Sequence, residues 1–456
     1  MLDDTIAAIA TPLGEGGLAI VRLSGPDAIR IGENSFRPGG KSAPRLSEAP
    51  SHTLHYGHVV RQARVVDEVL LSVLRAPRTF TGEDAVEITC HGGLLPAKLV
   101  LDTVLENGAR AAEPGEFTKR AFLNGRIDLA QAEAVADLIH SRSELALRAA
   151  NEQLSGKLSL RINHLRDELL KTLAHLEAHI DFPDEDIAPE TRAELASRLE
   201  RSTAKMDELL QTANEGQILR RGIRAVILGR PNVGKSSLLN HLLGHDRAIV
   251  SPLPGTTRDT IEETATIRGL PIVFVDTAGL RDSGDEIELE GMRRSRQTLA
   301  RAELVLHVLD ASEPLNPADE LYLAEFSGKK RVLIRNKIDL PTQLVLPADT
   351  AVPVVSVSCL TAEGFETLKD TIKELIWSGE IKAEMLEAMI NSRHQNALQR
   401  SRTATLQALE AFRNDLSLEL VALDLRIAVQ AVGEIVGKTT TEDLLDSIFS
   451  QFCIGK

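Results

Sequence analysis

Cysteine is scarce. Cys90, Cys359 and Cys453 are the three in 456 residues, far apart and without C-x-x-C spacing, which argues against structural zinc and for a reducing compartment. Positive charge is also in deficit. At a net charge of −14 the chain is not a general nucleic-acid binder, so any such contact has to come from local patches such as Arg220-Arg221-x-x-Arg224, Arg293-Arg294-x-Arg296 or Lys329-Lys-Arg331. Each of these also reads as a solvated helix face or loop. No apolar run approaches membrane-spanning length, and Met1-Leu-Asp-Asp4 puts no basic region before an apolar stretch. Repeats and low-complexity tracts are missing as well. These absences predict a cytoplasmic chain with no membrane partner. What is present is ample apolar material, 43% of 456 residues, enough for two to three domains with cores of their own.

Composition changes twice along the chain. Up to about residue 118, short β-patterns (Leu18–Leu23, His55–Val60, Glu68–Leu74, Ala85–Thr89) mix with helical patterns near Pro26–Glu33 and Leu94–Glu106, predicting an α/β or α+β domain. From about Asp128 to Gly216 the pattern is Ala/Leu/Glu-rich helix, interrupted at Asp181-Phe-Pro-Asp-Glu-Asp186, and a helical tail resumes after Trp377. The expected organisation is multidomain α/β plus all-α. Its limits are an N-terminal domain over 1–118, a discontinuous helical domain over 119–215 and 378–456, and a nucleotide domain over 216–377 inserted between the two helical parts.

The inserted segment carries the chemistry. Gly229-Arg-Pro-Asn-Val-Gly-Lys-Ser236 is a G-x-x-x-x-G-K-[ST] loop, entered from the β-pattern Arg224–Leu228 and left by the helical pattern Ser237–Leu243. Its glycines let the backbone fold around phosphates, Lys235 reaches the β- and γ-oxygens, and the Ser236 hydroxyl suits Mg²⁺. A plain glycine turn between strand and helix explains neither Lys235 nor Ser236. The base is chosen elsewhere. In Asn336-Lys337-Ile-Asp339, after the apolar strand Val332–Ile334, the aspartate accepts both N1–H and the exocyclic N2–H of guanine, whereas adenine leaves it unpaired. Ser358-Cys359-Leu360, after the strand Pro353–Val357, is expected to form a second wall of the base pocket.

Two further loops complete the pattern. Asp276-Thr277-Ala278-Gly279 follows the strand Ile272–Val275 and suits Mg²⁺ and the γ-phosphate, and Gly255-Thr-Thr-Arg-Asp259 supplies the Thr257 hydroxyl for the metal. The expected GTP-binding set is Asn232, Val233, Gly234, Lys235, Ser236 and Ser237, then Ser251, Pro252, Leu253, Pro254, Gly255, Thr256 and Thr257, then Asp276 to Gly279, Asn336, Lys337, Asp339, Ser358, Cys359 and Leu360. Leu280 stands where many small GTPases carry a water-orienting Gln. A leucine cannot do that work. Two replacements are open on chemical grounds: K⁺ held by oxygens of Asn232 and Ser251–Thr256, or Glu288, whose plainer reading is an acidic first helical turn.

Other apparent motifs reduce to structure. Gly14-Glu-Gly16-Gly-Leu-Ala19 fits a dinucleotide fingerprint, but a β-pattern follows where that fold needs a helix, and His91-Gly-Gly93 reads as a helix-entry turn. Cys453-Ile-Gly-Lys456 has prenylation spacing with an atypical final Lys and acidic upstream residues. Phe449 and Phe452 make that tail too apolar for free solvent, so it is expected to dock and carry Cys453 and Lys456 to a fixed place.

Asp4-Thr-Ile-Ala-Ala-Ile-Ala-Thr-Pro12, Phe80-Thr-Gly-Glu-Asp84, Pro114-Gly-Glu-Phe-Thr-Lys-Arg-Ala-Phe-Leu-Asn124 and the terminal Phe-Cys-Ile-Gly-Lys456, around these nucleotide motifs in a helical host, resemble the MnmE (TrmE) family of tRNA modification GTPases. The resemblance runs essentially end to end. It implies a Ras-like P-loop G domain and K⁺-dependent GTP hydrolysis, with K⁺ on Asn232, Ser251, the Leu253 carbonyl and Thr256, Mg²⁺ on Ser236 and Thr257, and Glu288 favoured as the water-orienting acid beside Lys235. It also implies a homodimer whose N-terminal domain binds a 5-formyl- or 5,10-methylene-tetrahydrofolate through Arg22, Glu87, Arg126 and Lys456, with Cys453 as the functionally implicated thiol. The implied partner is the FAD- and NADH-dependent MnmG (GidA), in a heterotetramer or larger. Together they would form a 5-carboxymethylaminomethyl or 5-aminomethyl group on the tRNA wobble uridine. Ser358-Cys359 departs slightly from the family's usual Ser-Ala.

Overall fold

The computed structural model describes residues 4–40, 45–181, 189–244, 262–275, 302–325, 329–347, 352–377 and 383–456. These divide into two compact units: Met1–Ala136 with Ile162–Asp167 and Val429–Lys456, and Asp137–Arg161 with Glu168–Ala428.

The first unit is built on strands β1 (Ile6–Ile9), β2 (Leu18–Ser24), β3 (Phe36–Pro38), β4 (Thr53–Arg61), β5 (Arg64–Leu74), β6 (Ala85–His91) and β7 (Arg110–Ala111), ordered β3-β4-β5-β6-β2-β1-β7. Helices α1 (Ala28–Ser35) and α2 (Leu94–Glu106) cover one face. The side-chain period of two decides what lies there: Val21, Leu23, Val69, Leu71, Val73, Val86 and Ile88 point into a core shared with Ile31, Val100 and Val104. The intervening residues, Arg22 and Glu87 among them, occupy the other face. The glycines before β2 form a strand-entry turn, where Gly92 N–H donates to the Gly17 carbonyl, and His91-Gly-Gly93 opens α2, both as expected.

Helix α3 (Glu116–Leu123) closes this unit with a buried charge cluster. Arg120 is fully enclosed and donates to the Asp4 carbonyl (2.9 Å), Asp4 Oδ1 (2.7 Å) and Glu116 Oε1 (3.0 Å), with Glu83 at 3.4 Å. Arg110 braces Glu116 from the other side at 2.6 Å. Burial pushes the Glu116 carboxyl up, but Arg110, the Glu113 N–H and Arg120 outweigh it and hold the group below its ordinary value.

Helices α4 (Leu129–His140), α5 (Glu144–Leu154), α6 (Lys157–Asp181), α7 (Pro189–Gln211) and α8 (Ala213–Arg221) follow. The sheet of the second unit comprises β8 (Ile223–Leu228), β9 (Glu263–Ile267), β10 (Leu270–Phe274), β11 (Leu304–Asp310), β12 (Lys330–Asn336) and β13 (Val354–Ser356), in the order β13-β12-β11-β8-β10-β9. Every described pairing is parallel except β9 with β10. Helices α9 (Lys235–Gly244), α10 (Pro317–Glu325) and α11 (Phe365–Ile376) belong to this part, and β11 is buried along its whole length, as a central parallel strand must be. Helices α12 (Ala383–Glu387), α13 (Ser392–Arg413), α14 (Leu418–Val436) and α15 (Glu442–Phe449) complete the chain. Helix α13 starts from a reciprocal capping box between Asn391 and His394, and Arg402–Asp207 and Arg413–Glu200 pair it with α7. No described helix is long and apolar enough to cross a membrane.

Arg120→Met removes one partner from a buried network and should destabilise the first unit by about 3–5 kcal/mol, seen as a lowered transition in calorimetry. Because the native Glu116 carboxyl is depressed, its stabilisation is present above the ordinary value of 4.5 and is lost as pH falls through the lower native one. The variant should therefore lose less stability on acidification than the parent; an equal acid loss in both would remove the role given to this network.

Candidate functional site

In a parallel sheet, ligands are met where the strands' carboxyl ends open. Strands β8, β12 and β13 deliver the phosphate loop, Asn336-Lys-Ile-Asp339 and Ser358-Cys359-Leu360 to that one edge. The phosphate loop departs from regular backbone at Gly229 (φ 145°), Asn232 (φ 62°) and Gly234 (φ 100°). A Cβ on Gly234 would sit 2.2 Å from Asn336 Nδ2, so glycine is required there by contact as well as by φ. Lys235 folds back over the loop, donating to the carbonyls of Gly229 (2.9 Å) and Arg230 (2.7 Å), and burial lowers its ammonium's pKa. Ser236 and Ser237 open α9 at the mouth of the loop, and Asn232 is exposed on its rim.

Asn336-Lys-Ile-Asp339 and Ser358-Cys359-Leu360 form one hydrogen-bonded assembly. Asn336 is buried, donates through Nδ2 to the Val233 carbonyl at 2.7 Å, and accepts the Cys359 N–H on Oδ1 at 3.2 Å. Ser358 donates to Asp339 Oδ1 at 2.5 Å and accepts the N–H groups of Leu360 and Thr361, leaving the exposed Asp339 carboxylate oriented rather than free to rotate. Burial and the Asp339 charge raise the Cys359 thiol to about 11, partly opposed by Asn336, so it stays protonated. Lys337 takes a left-handed φ of 66° and pairs with Asp310 at 2.6 Å. Asp310 was invisible to motif reading. Its signal is an acid ending the buried, largely apolar run of β11, and although burial raises its carboxyl, Lys337 and Ser312 outweigh that and lower it. Asp319 and Glu313 hold Arg230 of the phosphate loop in the same way, from outside any motif.

Ser251 to Thr257, Asp276 to Gly279, Leu280 and Glu288 lie outside the described residues, as does Arg293-Arg294-x-Arg296. In the other basic patches the arginines and Lys329 have partners. Arg220 pairs with Asp137, Arg221 with Glu303 and Arg224 with Glu262, while Lys329 bonds the Ala302 carbonyl and Arg331 the carbonyls of Tyr322 and Leu323.

A second constellation lies in the first unit. Register sets Arg22 on β2 opposite Glu87 on β6, and their side chains pair at 2.8 Å. The C-terminal tail joins them. Phe449 and Phe452 are buried, Ile454 bridges Pro114, Gly115 N–H donates to the Cys453 carbonyl at 3.4 Å, and Arg22 Nη1 reaches the Gly455 carbonyl at 3.3 Å. Gly455 (φ 93°) lies against the Ile9 carbonyl, 2.6 Å from where a Cβ would stand. Cys453 is exposed, and Lys456 has its pKa lowered by burial and by Arg22, against the pull of Glu87 and Cys453. Arg126 instead holds the Thr79 carbonyl at 3.3 Å. Three of the four residues expected to contact folate thus share one electrostatic neighbourhood.

Family models match both parts of the chain: the GTP-binding protein TrmE N-terminus over residues 5–126 and the MnmE helical domain over 129–453. The tRNA modification GTPase MnmE of Geobacillus kaustophilus is 49% identical over 461 residues, covering 99% of each chain, and that of Bacillus subtilis is 48% identical over 463, covering 99% of this chain and 100% of that one. The chain belongs to the MnmE family of tRNA modification GTPases. Among solved structures, the G domain of the T. maritima FeoB iron transporter is 32% identical over 34% of this chain and 98% of that one, with a TM-score of 0.26. As an MnmE GTPase the chain hydrolyses GTP, and the edge formed by β8, β12 and β13 is where its phosphate and guanine motifs converge.

Asp339→Asn replaces a double acceptor with an amide that donates to the C2 oxygen of xanthine. GTP affinity should fall by at least about tenfold while XTP binding improves, read by nucleotide competition. Unchanged discrimination would remove Asp339 from base recognition.

Proposed function

We propose that this MnmE GTPase couples K⁺-dependent GTP hydrolysis to wobble-uridine modification of tRNA, with a tetrahydrofolate one-carbon donor and the FAD- and NADH-dependent MnmG as partner. The domain limits are those expected above, near 118, 215 and 377. The observation that carries the reading is the coexistence, in one chain, of a guanine pocket and of an Arg22–Glu87 pair met by the docked tail.

The donor sets suit the groups invoked. Glu87 and Arg22 are about a quarter exposed (27% and 21%) on the open sheet face, a carboxylate for a pterin's amino edge and a cation for its carbonyl or glutamate oxygens. Lys456 adds a second cation, Arg126 a third, and the exposed Cys453 a thiol beside them. Tetrahydrofolate supplies a one-carbon unit when bound. The Ser236 hydroxyl, Thr257 and nucleotide oxygens would hold Mg²⁺, an ion that is bound through few protein ligands beside substrate phosphates. Asn232 offers its exposed amide oxygen to K⁺, with Ser251, Leu253 and Thr256 as further ligands. Lys235 offsets phosphate charge, and Glu288 orients the attacking water.

A homodimer through the N-terminal domain has a suitable surface. The rows Leu54–Ser72–Glu87–Arg22 and Tyr56–Leu70–Thr89–Ile20 run side by side across one sheet face, with Leu54 (61%), Tyr56 (54%) and Leu70 (40%) exposed. Pairing there would bury this apolar surface next to the proposed folate residues.

GTP hydrolysis should be much faster in K⁺ than in Na⁺ and should collapse in Glu288→Ala without matching loss of GTP affinity. Equal rates in the two salts would sink the cation model. In cells lacking the protein, mass analysis of tRNA nucleosides should show the modified wobble uridine missing, and an unchanged profile would remove the tRNA assignment.

A further inference from the structure

The Ser358–Leu360 wall of the base pocket has a tether that no nucleotide motif supplies. Cys359 gives its N–H to Asn336, and its carbonyl lies 2.6 Å from Nε2 of His241. A carbonyl only accepts, so Nε2 carries the proton and donates. His241 stands on α9, six residues after Lys235, and its ring packs on Phe365 with centroids 4.7 Å apart. Phe365 begins α11, just beyond the same wall. The contacts form a closed circuit: Val233 of the phosphate loop to Asn336, Asn336 to Cys359, Cys359 to His241, and His241 along α9 back to the loop.

We propose that His241 is a positioning residue for guanine recognition. It fixes the base-side loop to the helix that presents the phosphates, so that base and phosphates are met at a set separation. Without this donor, Asn336 still holds the Cys359 N–H, but the carbonyl side of the peptide loses its partner and the Ser358–Asp339 contact loses its backing. His241 touches neither the bond that breaks nor the attacking water. Its contribution is therefore to binding, equal in ground and transition states, and belongs in KM rather than kcat. The assignment rests on the guanine pocket described above.

Three full-length variants test it in steady-state GTPase assays in K⁺. His241→Phe keeps an aromatic ring on Phe365 and removes the donor, His241→Gln restores an N–H of similar reach, and His241→Ala removes both. His241→Phe and His241→Ala should raise the KM for GTP on the order of tenfold, with kcat at saturation within about twofold of the parent, as expected for one lost hydrogen bond. His241→Gln should recover most of that loss. The ratio of KM for ITP, which lacks the exocyclic amine read by Asp339, to KM for GTP should shrink in His241→Phe and return in His241→Gln. A parental KM and ITP ratio in His241→Phe would overturn the proposal, as would a loss confined to kcat or a His241→Gln variant no better than His241→Phe. If His241→Ala fails to fold, the Phe and Gln variants decide alone. Asp339→Asn separates the two readings: if it discriminates xanthine while His241→Phe behaves as the parent, only the role of His241 falls; if it does not, the pocket itself falls.

Discussion

The side-chain amide of Asn336 is the constraint on which the nucleotide site depends. Its NH₂ closes on the phosphate-loop motif at the Val233 carbonyl and its oxygen closes on the Cys359 N–H, so one planar group sets the distance between that motif and the Ser358–Leu360 loop. Asn336 is buried, and its bond to Val233 is made in a buried setting, where a missing partner costs about 1–3 kcal/mol, so that bond is not easily exchanged for water. Gly234 belongs to the same constraint, because a side chain there would occupy the position of the amide nitrogen. The parallel sheet makes the arrangement possible by ending three non-adjacent stretches of chain at one edge.

The first unit solves a different problem with a different device. Its sheet is antiparallel over most of its width, and strict alternation separates the core of Val, Leu and Ile under α1 and α2 from a second face, where Arg22 and Glu87 meet and where Ile6 and Ala8 pack on Phe117 of α3. Charge is buried there only as a cluster: Arg120 is enclosed because Asp4, Glu83 and Glu116 surround it and Arg110 braces them. An isolated arginine in that position would be prohibitive.

Legibility followed the range of the signal. The apolar strand at Val332–Ile334 and the helix Leu94–Glu106 were readable because periodicity and flanking turn residues are local, and the latter matched at both ends. The helix expected near Pro26–Glu33 spans Ala28–Ser35, since Gly25-Pro-Asp27 is spent on the turn into it. Strand β1, rich in alanine, and the two-residue β7 carry too little pattern to be seen, although together they form the sheet's far side. The phosphate and base motifs were legible because their chemistry is compact in sequence. Asp310, Asp319, His241 and Arg120 were not, because each acts on a group brought to it by the fold, and Asp310 reaches Lys337 and His241 reaches Cys359 without any fixed spacing. The apolar weight of Phe449 and Phe452 did announce a docked tail, which burial and the Pro114–Ile454 bridge bear out.

That tail has a consequence for how the molecule is made. Arg22 and the Gly455 carbonyl that it binds are separated by 433 positions, with the whole GTP-binding sheet encoded between them. On the ribosome the strands of the first unit emerge early and can pair, but the segment around Gly455 that joins them leaves the exit tunnel only after the whole second sheet has been made. Closing so long a loop adds little entropic cost over closing a shorter one, so the delay is one of order rather than of affinity. A chain released before Gly455 therefore carries intact nucleotide motifs and an Arg22 without its tail contact, so the order of synthesis is written into the architecture of that neighbourhood.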